Sequence, residues 1–215
     1  MTEAAKLVGT SPASVRRWLA GYSFRHGGEV LRSPPLWEPQ LSFPEGRLEI
    51  GFRDLIELRF VVAFTAAGLG LKSIRNCLQY ARELAANDRP FSTRRFRTDG
   101  KTIFLESMDR FGDAEVLDLK RRQHVIKDVI ERTFRDLDVD DDAVVRWRPL
   151  DGKATIVIDP ARSFGKPIAA GFGVPTSVLA DAVAAEGSTE HAARLYEVPL
   201  PVVRDALRFE ERLNA

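Results

Sequence analysis

Arg16 and Arg17 sit side by side on a short segment, Pro12 to Ala20, whose apolar positions are Val15, Trp18 and Leu19. Neighbouring guanidiniums on the polar face of a short helix suit one chemistry well. They donate paired N–H groups to phosphate oxygens or to the guanine edge in a major groove. Ser11 and Ser14 add hydroxyl donors at the same helix start, where the peptide dipoles favour an anion. Arg25, His26 and Arg32 follow within ten to fifteen residues and could reach a phosphate backbone or a minor groove. The bland reading of the first two helices is a helical hairpin with a solvated arginine pair, and those helices alone do not decide between the two.

The elements that must position these residues follow from local chemistry. A helix over about Glu3 to Val8 has Thr2 as a candidate cap and stops at Gly9. Ser11 caps the second helix, Pro12 takes its first position where a missing N–H costs nothing, and Gly21 ends it. Two helices joined by a short glycine-containing turn are the helix-turn-helix signature. Gly27-Gly28 turns a hairpin between Tyr22–His26 and Glu29–Leu31, which makes a wing. Pro34, Pro35, Pro39 and Pro44 then force an extended excursion up to Leu48-Glu49-Ile50. Helices are predicted over Asp54–Thr65 and Lys72–Ala86 from apolar residues at helical spacing.

Further along, Arg94 to Leu105 reads as a hairpin turned by Asp99-Gly100, with Phe96 opposite Ile103. Glu115 to Leu137 reads as a long helix whose apolar stripe runs Val116, Leu119, Val125, Ile126, Val129, Ile130 and Phe134. Asp138, Asp140, Asp141 and Asp142 form an acidic turn. Strands are predicted at Val144–Trp147 and Ala154–Ile158. Three helices close the chain, over Ser177–Glu186, Thr189–Tyr196 and Pro199–Leu213.

Composition sets the outer limits. The chain has 215 residues, 44% hydrophobic and 29% charged, which describes a globular protein with a proper core. No apolar run approaches the roughly 20 residues of a membrane helix, and the first residues carry no secretory pattern, so a cytoplasmic location is expected. Charge is unevenly spread, with 11 basic and 7 acidic residues over Phe52–Arg110 against 9 and 12 over Phe111–Pro160. Two halves of opposite sign fit a protein with two different partners.

Other chemistry finds little support. A single cysteine, Cys77, excludes an internal disulfide and reads as a buried structural thiol. His26, His124 and His191 share no ligand spacing, so no metal is expected. The Asp138–Asp142 cluster lacks the glycine and terminal glutamate of a calcium loop. The loop Ala169–Gly173 lacks the Lys-Ser/Thr ending of a phosphate loop. No nucleophile–base pair or carboxylate pair stands out. The chain is therefore read as non-enzymatic, with no cofactor. The Arg94, Arg95, Arg97 and Lys101 cluster stays open between a wider DNA footprint, an acidic partner and a solvated face. The mixed signs of Arg204, Arg208 and Arg212 with Asp205, Glu210 and Glu211 favour protein contact over groove insertion.

Two resemblances sharpen this reading. EAAKLVGTSPASVRRWL, the following ribbon, and FRDLIELRFVVAFTAAGLGLKSIRNCL resemble the MerR-type winged helix-turn-helix over about Met1 to Leu84. The wing here is longer and richer in proline, no dimerising coiled coil follows directly, and the metal-sensing cysteines are absent. That resemblance implies backbone contacts for Arg53 and Lys72. DPARSFGKPIAAGFGVPTSVLADAVAAEGSTEHAARLYEVPLPVVRDALRFEERL resembles the trihelical antitoxin domain encoded beside PIN-like ribonuclease toxins. The whole is similar to a VapB-type antitoxin, which implies neutralising such a toxin and repressing the shared operon by binding operator DNA.

The expected fold is α+β and mostly helical. It comprises a DNA-binding winged helix-turn-helix over 1–90, a connecting hairpin, long helix and strands over 91–154, and a trihelical domain over 155–215. A homodimer is expected, because two-fold proteins read palindromic half-sites, with Val116–Phe134 as the dimer surface. The alternatives are a MerR-like ligand-responsive transcriptional regulator without a toxin partner, and an architectural or excision factor that bends DNA.

Overall fold

The computed structural model describes residues 1–41, 48–112 and 119–214, the side chains of 119–121 excepted. The chain is α+β and divides into two compact units. The first comprises Met1–Phe134 with Asp141–Ala143, and the second Arg135–Asp140 with Val144–Ala215. The residues expected as a connector over 91–154 are thus shared between the two units.

The first unit opens with helices α1 (Thr2–Val8) and α2 (Pro12–Ala20). Thr2 lies inside α1, while Ser11 caps α2 as its sequence requires, accepting the Ser14 N–H at 3.0 Å. Strands β1 (Tyr22–His26) and β2 (Glu29–Ser33) pair antiparallel around Gly27-Gly28. Both glycines have positive φ, 58° and 88°, which gives a two-residue turn the matching twist. Helices α3 (Phe52–Ala66) and α4 (Leu71–Ala85) follow. Residues 42–47, including the expected excursion at Pro44, lie outside the described residues.

Arg94–Arg110 is a helix, α5, and the hairpin expected there does not form. Thr93 caps it by accepting the Phe96 N–H at 3.1 Å. Phe96, Gly100, Ile103, Phe104, Ser107 and Met108 are buried at helical spacing. The Asp99-Gly100 turn signal loses to this packing. Gly100 is a contact point instead, since a Cβ there would lie 3.1 Å from Ile130 Cδ1 and 3.2 Å from the Phe96 ring.

Helix α6 (Leu119–Phe134) packs on α5 and α3. Its Ile126, Ile130 and Phe134 are buried there, so those members of the stripe expected to dimerise belong to this unit's own core, while Val125 and Val129 are half-buried. Val116 lies outside the described residues. Six phenylalanines form that core, with ring centroids 4.5 Å apart for Phe91–Phe96 and 5.0 Å for both Phe60–Phe134 and Phe64–Phe104. Such tilted aromatic pairs add to the burial of their area.

The second unit is a sheet and three helices. Strands β3 (Leu137–Asp140), β4 (Ala143–Trp147), β5 (Ile156–Ile158) and β6 (Pro167–Ala169) lie in that order across the sheet. β3 replaces the end of the expected long helix, and Asp138 and Asp140 belong to it; only Asp141 and Asp142 turn the chain. β5 pairs antiparallel with β6, Val157 opposite Ile168. Helices α7 (Thr176–Glu186), α8 (Thr189–Leu195) and α9 (Leu200–Asn214) pack on one another, and α9 also packs on β5 and β6. Leu179, Ala192, Val203, Ala206 and Phe209 fill the space between them. Among the described residues no helix is long and apolar enough to cross a membrane.

Candidate nucleic-acid interface

The burial of Val15, Trp18 and Leu19 fixes the rotation of α2. That leaves Ser11, Arg16 and Arg17 exposed and Ser14 half-buried. The Ser11 and Ser14 hydroxyls lie 2.9 Å apart. Arg17 sits over the Tyr22 ring at 5.9 Å, a cation–π contact that joins the end of α2 to the start of β1.

Strand register sorts the hairpin residues. Arg25 lies opposite Val30 and Ser23 opposite Arg32, so Arg25 and Arg32 share one face as diagonal neighbours. His26 points to the other face with Tyr22, Phe24 and Leu31. All three charged or polar candidates are exposed, and so are Phe24 at 41%, Leu31 at 39% and Val30 at 67%.

The two implied backbone contacts differ from each other. Lys72 is exposed in the first turn of α4. Arg53 faces inward. Its Nε donates to Ser92 Oγ at 3.3 Å, and its Nη2 donates to Asn87 Oδ1 at 2.9 Å and to the Arg89 carbonyl at 3.3 Å. Those bonds tie the half-buried Arg53 to the loop after α4. Of the cluster read as open, Arg94, Arg95 and Arg97 are exposed and Lys101 is half-buried, now on a helix, with Arg95 donating to the Leu84 carbonyl.

What aims the hairpin was missed in the sequence. Residues 34–41 after β2 run as a strap with little regular structure, held by side chains from α3, α4 and the loop beyond. Arg75 donates to the Pro35 carbonyl at 3.0 Å and to Ser33 Oγ at 3.1 Å. Arg82 donates to the Leu36 carbonyl at 2.8 Å, and Arg89 to the Glu38 carbonyl. Burial lowers the guanidinium pKa of both Arg75 and Arg82 from the ordinary value. Asp54, wholly buried, accepts the Trp37 indole N–H at 3.0 Å, the Gln40 N–H at 2.8 Å and the Arg89 guanidinium at 2.9 Å. Gly21 completes the fit: at φ 73° it lies so close to the strap that a Cβ would meet the Ser33 carbonyl at 2.6 Å. Three prolines along the strap, Pro34, Pro35 and Pro39, were the available signal, since a proline-rich path needs donors from elsewhere.

In the second unit the exposed cations of α9 are matched by acids. Arg204 lies 3.5 Å from Glu190, Arg208 3.8 Å from Asp205 and Arg212 3.1 Å from Asp151. Asp205 also receives Lys153 and Thr155, both at 2.9 Å. Such a face offers phosphate little net attraction. Cys77 is buried in α4, and burial pushes its thiol pKa up. Among the described residues no three histidine, cysteine, aspartate or glutamate side chains converge as a metal site.

No protein-family model matches the chain. Over 222 residues it is 26% identical to the Mycobacterium tuberculosis protein named "Putative antitoxin VapB45". That alignment covers 96% of this chain and 91% of the relative, so the likeness spans both units. Among solved structures, the crystal structure of Rv2018 from Mycobacterium tuberculosis superposes with a TM-score of 0.66 at 21% identity, over 95% of this chain and 94% of that one. The chain shares that fold.

Proposed function

We propose that this chain is the non-enzymatic antitoxin of a type II toxin–antitoxin system. It neutralises a PIN-like ribonuclease toxin and represses its own operon by binding operator DNA. The observation that carries this reading is the near full-length likeness to a protein named as an antitoxin. In the MerR-like reading of the first unit, α2 enters the major groove with Arg16 and Arg17 forward. Arg25 and Arg32 then lie along the backbone from the shared face of the hairpin, with Ser11, Ser14, His26 and Lys72 as secondary contacts. The trihelical second unit takes the toxin, consistent with the matched charges of α9. A homodimer places two α2 helices on a palindromic site.

Fluorescence anisotropy with duplex DNA from upstream of the gene tests the DNA half. The Arg16→Ala, Arg17→Ala variant is expected to lose about 1–3 kcal/mol per guanine-reading arginine and to bind with a shallower salt dependence. Both side chains are exposed, so stability should shift by no more than about 1 kcal/mol, the Arg17–Tyr22 contact included. Unchanged affinity and salt slope would remove α2 from the interface.

A second reading, a ligand-responsive regulator without a toxin, draws on one feature of the first unit. An open depression of about 410 Å³ is lined by Ala67, Gly68, Leu69, Ser73, Met108, Arg122 and Val125, among others. A small molecule that alters operator affinity, in a chain that binds no ribonuclease, would favour it.

A further inference from the structure

Phe164 stands wholly in solvent on a backbone that disfavours it. Ser163 and Phe164 have φ of 46° and 55°, and Gly165 continues the left-handed run at 74°. Two successive non-glycine residues in that region are strained, and an exposed ring recovers nothing by burial. The neighbouring chain enforces the conformation. Asp159 Oδ1 accepts the Ala161 N–H at 2.9 Å, and the Gly165 N–H reaches the Arg162 carbonyl at 2.9 Å. Arg162 Nη1 donates to the Ala170 carbonyl at 2.6 Å, and Ser163 Oγ to the Gly173 carbonyl at 3.4 Å. These bonds staple this loop to the one after β6, whose Phe172 is 45% exposed.

We infer that Phe164 and Phe172 form the hook by which the second unit grips the toxin; this rests on the antitoxin reading above. The chemistry of the loops describes the receiving surface. Lys166 is the exposed cation of the two loops, while Asp159 is buried and taken up by Arg146 and the Ala161 N–H, so the partner offers an apolar pocket deep enough for a phenyl ring, with a carboxylate at its edge. A second copy does not fit. In a two-fold contact of this patch with itself, the exposed Lys166 would meet its own copy. A nucleic-acid strand fits less well, because stacking platforms lie along a continuous cationic groove. Here Arg162 Nη1 is engaged by the Ala170 carbonyl, and Lys166 is the exposed cation of the two loops.

The test titrates the full chain, by calorimetry, with the purified product of the reading frame beside its gene. Wild type is expected to bind one to one. The Phe164→Asn, Phe172→Ser double variant is expected to bind about thirty-fold or more weakly. Leu195→Ser, at an exposed position of α8, is expected to bind as wild type, and operator affinity should be the same in all three. Undiminished toxin affinity in the double variant overturns the hook and leaves the antitoxin reading standing. No binding by wild type overturns both. A double variant that keeps toxin affinity but loses self-association in sedimentation, or loses binding to a single-stranded RNA 20-mer, assigns the rings to a second copy or a strand and overturns the hook.

Discussion

The carboxylate of Asp54 on α3 accepts the indole N–H of Trp37 at 3.0 Å, across seventeen residues of chain. The tie turns a proline-rich strap into a fixed strut between the hairpin and the helical core. Because Asp54 also receives Arg89 at 2.9 Å, removing it strands a largely buried cation. Asp54→Ala is expected to lower the stability of the first unit by about 3–5 kcal/mol, read by urea denaturation. Adding Arg89→Met should recover part of the loss, as a coupled pair does. Additive losses in that double-mutant cycle would show that the two residues act independently.

Glu57, one turn further along α3, makes stability depend on pH. It is fully buried and accepts the backbone N–H groups of Ser92 at 2.8 Å and Phe91 at 3.3 Å. Burial raises its pKa to about 7, against the lowering effect of those hydrogen bonds and of Arg53. Unfolded, the group titrates near its ordinary 4.5. Between these values the folded chain keeps a proton that the unfolded chain has released. The contribution is therefore full below about pH 4.5 and is lost as pH rises through 7. The loss is on the order of 3 kcal/mol. Glu57→Gln should gain on wild type by about that amount between pH 4.5 and 8, in parallel urea titrations. A constant difference across the range would refute the protonated, buried carboxyl.

Gly100 lets α5 approach α6. Gly100→Ala gains about 1 kcal/mol of helix propensity but places a methyl 3.1 Å from Ile130 Cδ1, and overpacking of this kind costs about 1–3 kcal/mol. A net loss near 1 kcal/mol is expected in thermal melts. Ile130→Val removes one of the two groups in the way and leaves the Phe96 ring at 3.2 Å, so the loss from Gly100→Ala should shrink in that background. Equal loss in both backgrounds would place the cost elsewhere.

Phe164→Asn should stabilise the chain. Asparagine tolerates the left-handed region that costs phenylalanine about 1–2 kcal/mol, and the lost ring was fully exposed. A gain of about 0.5–1 kcal/mol is expected in urea denaturation. A destabilised variant would mean that the ring supports its own unit.

The parts of this molecule that were legible in sequence are those fixed by near neighbours. Ser11-Pro12 starts α2, Gly27-Gly28 turns the hairpin and Gly187 ends α7, each with its own local chemistry. The exposure of Arg16 and Arg17 followed from the apolar residues beside them. Where distant partners decide, local signals misled. Asp99-Gly100 is a strong turn dipeptide, yet Phe96 and Ile103 find Phe91 and α6 only if the segment is helical. The Thr93 cap and the Phe96, Gly100, Ile103, Ser107 spacing were the signals that could have shown it. The Asp54, Arg75, Arg82 and Arg89 ties to the strap and to each other join residues 35 to 51 positions apart, bar the shorter Trp37 and Gln40 links. No local pattern announces them.

Three arginines hold the strap by its carbonyls, at Pro35, Leu36 and Glu38. Every residue type has a carbonyl, so side chains along the strap that face water can change without moving it. The hairpin's aim is therefore encoded outside the hairpin and its strap, mainly in α3, α4 and the loop beyond. Natural variation that retunes the angle of the hairpin should accumulate at those distant cations. A comparison confined to the hairpin's own residues would then overlook the positions that set its angle.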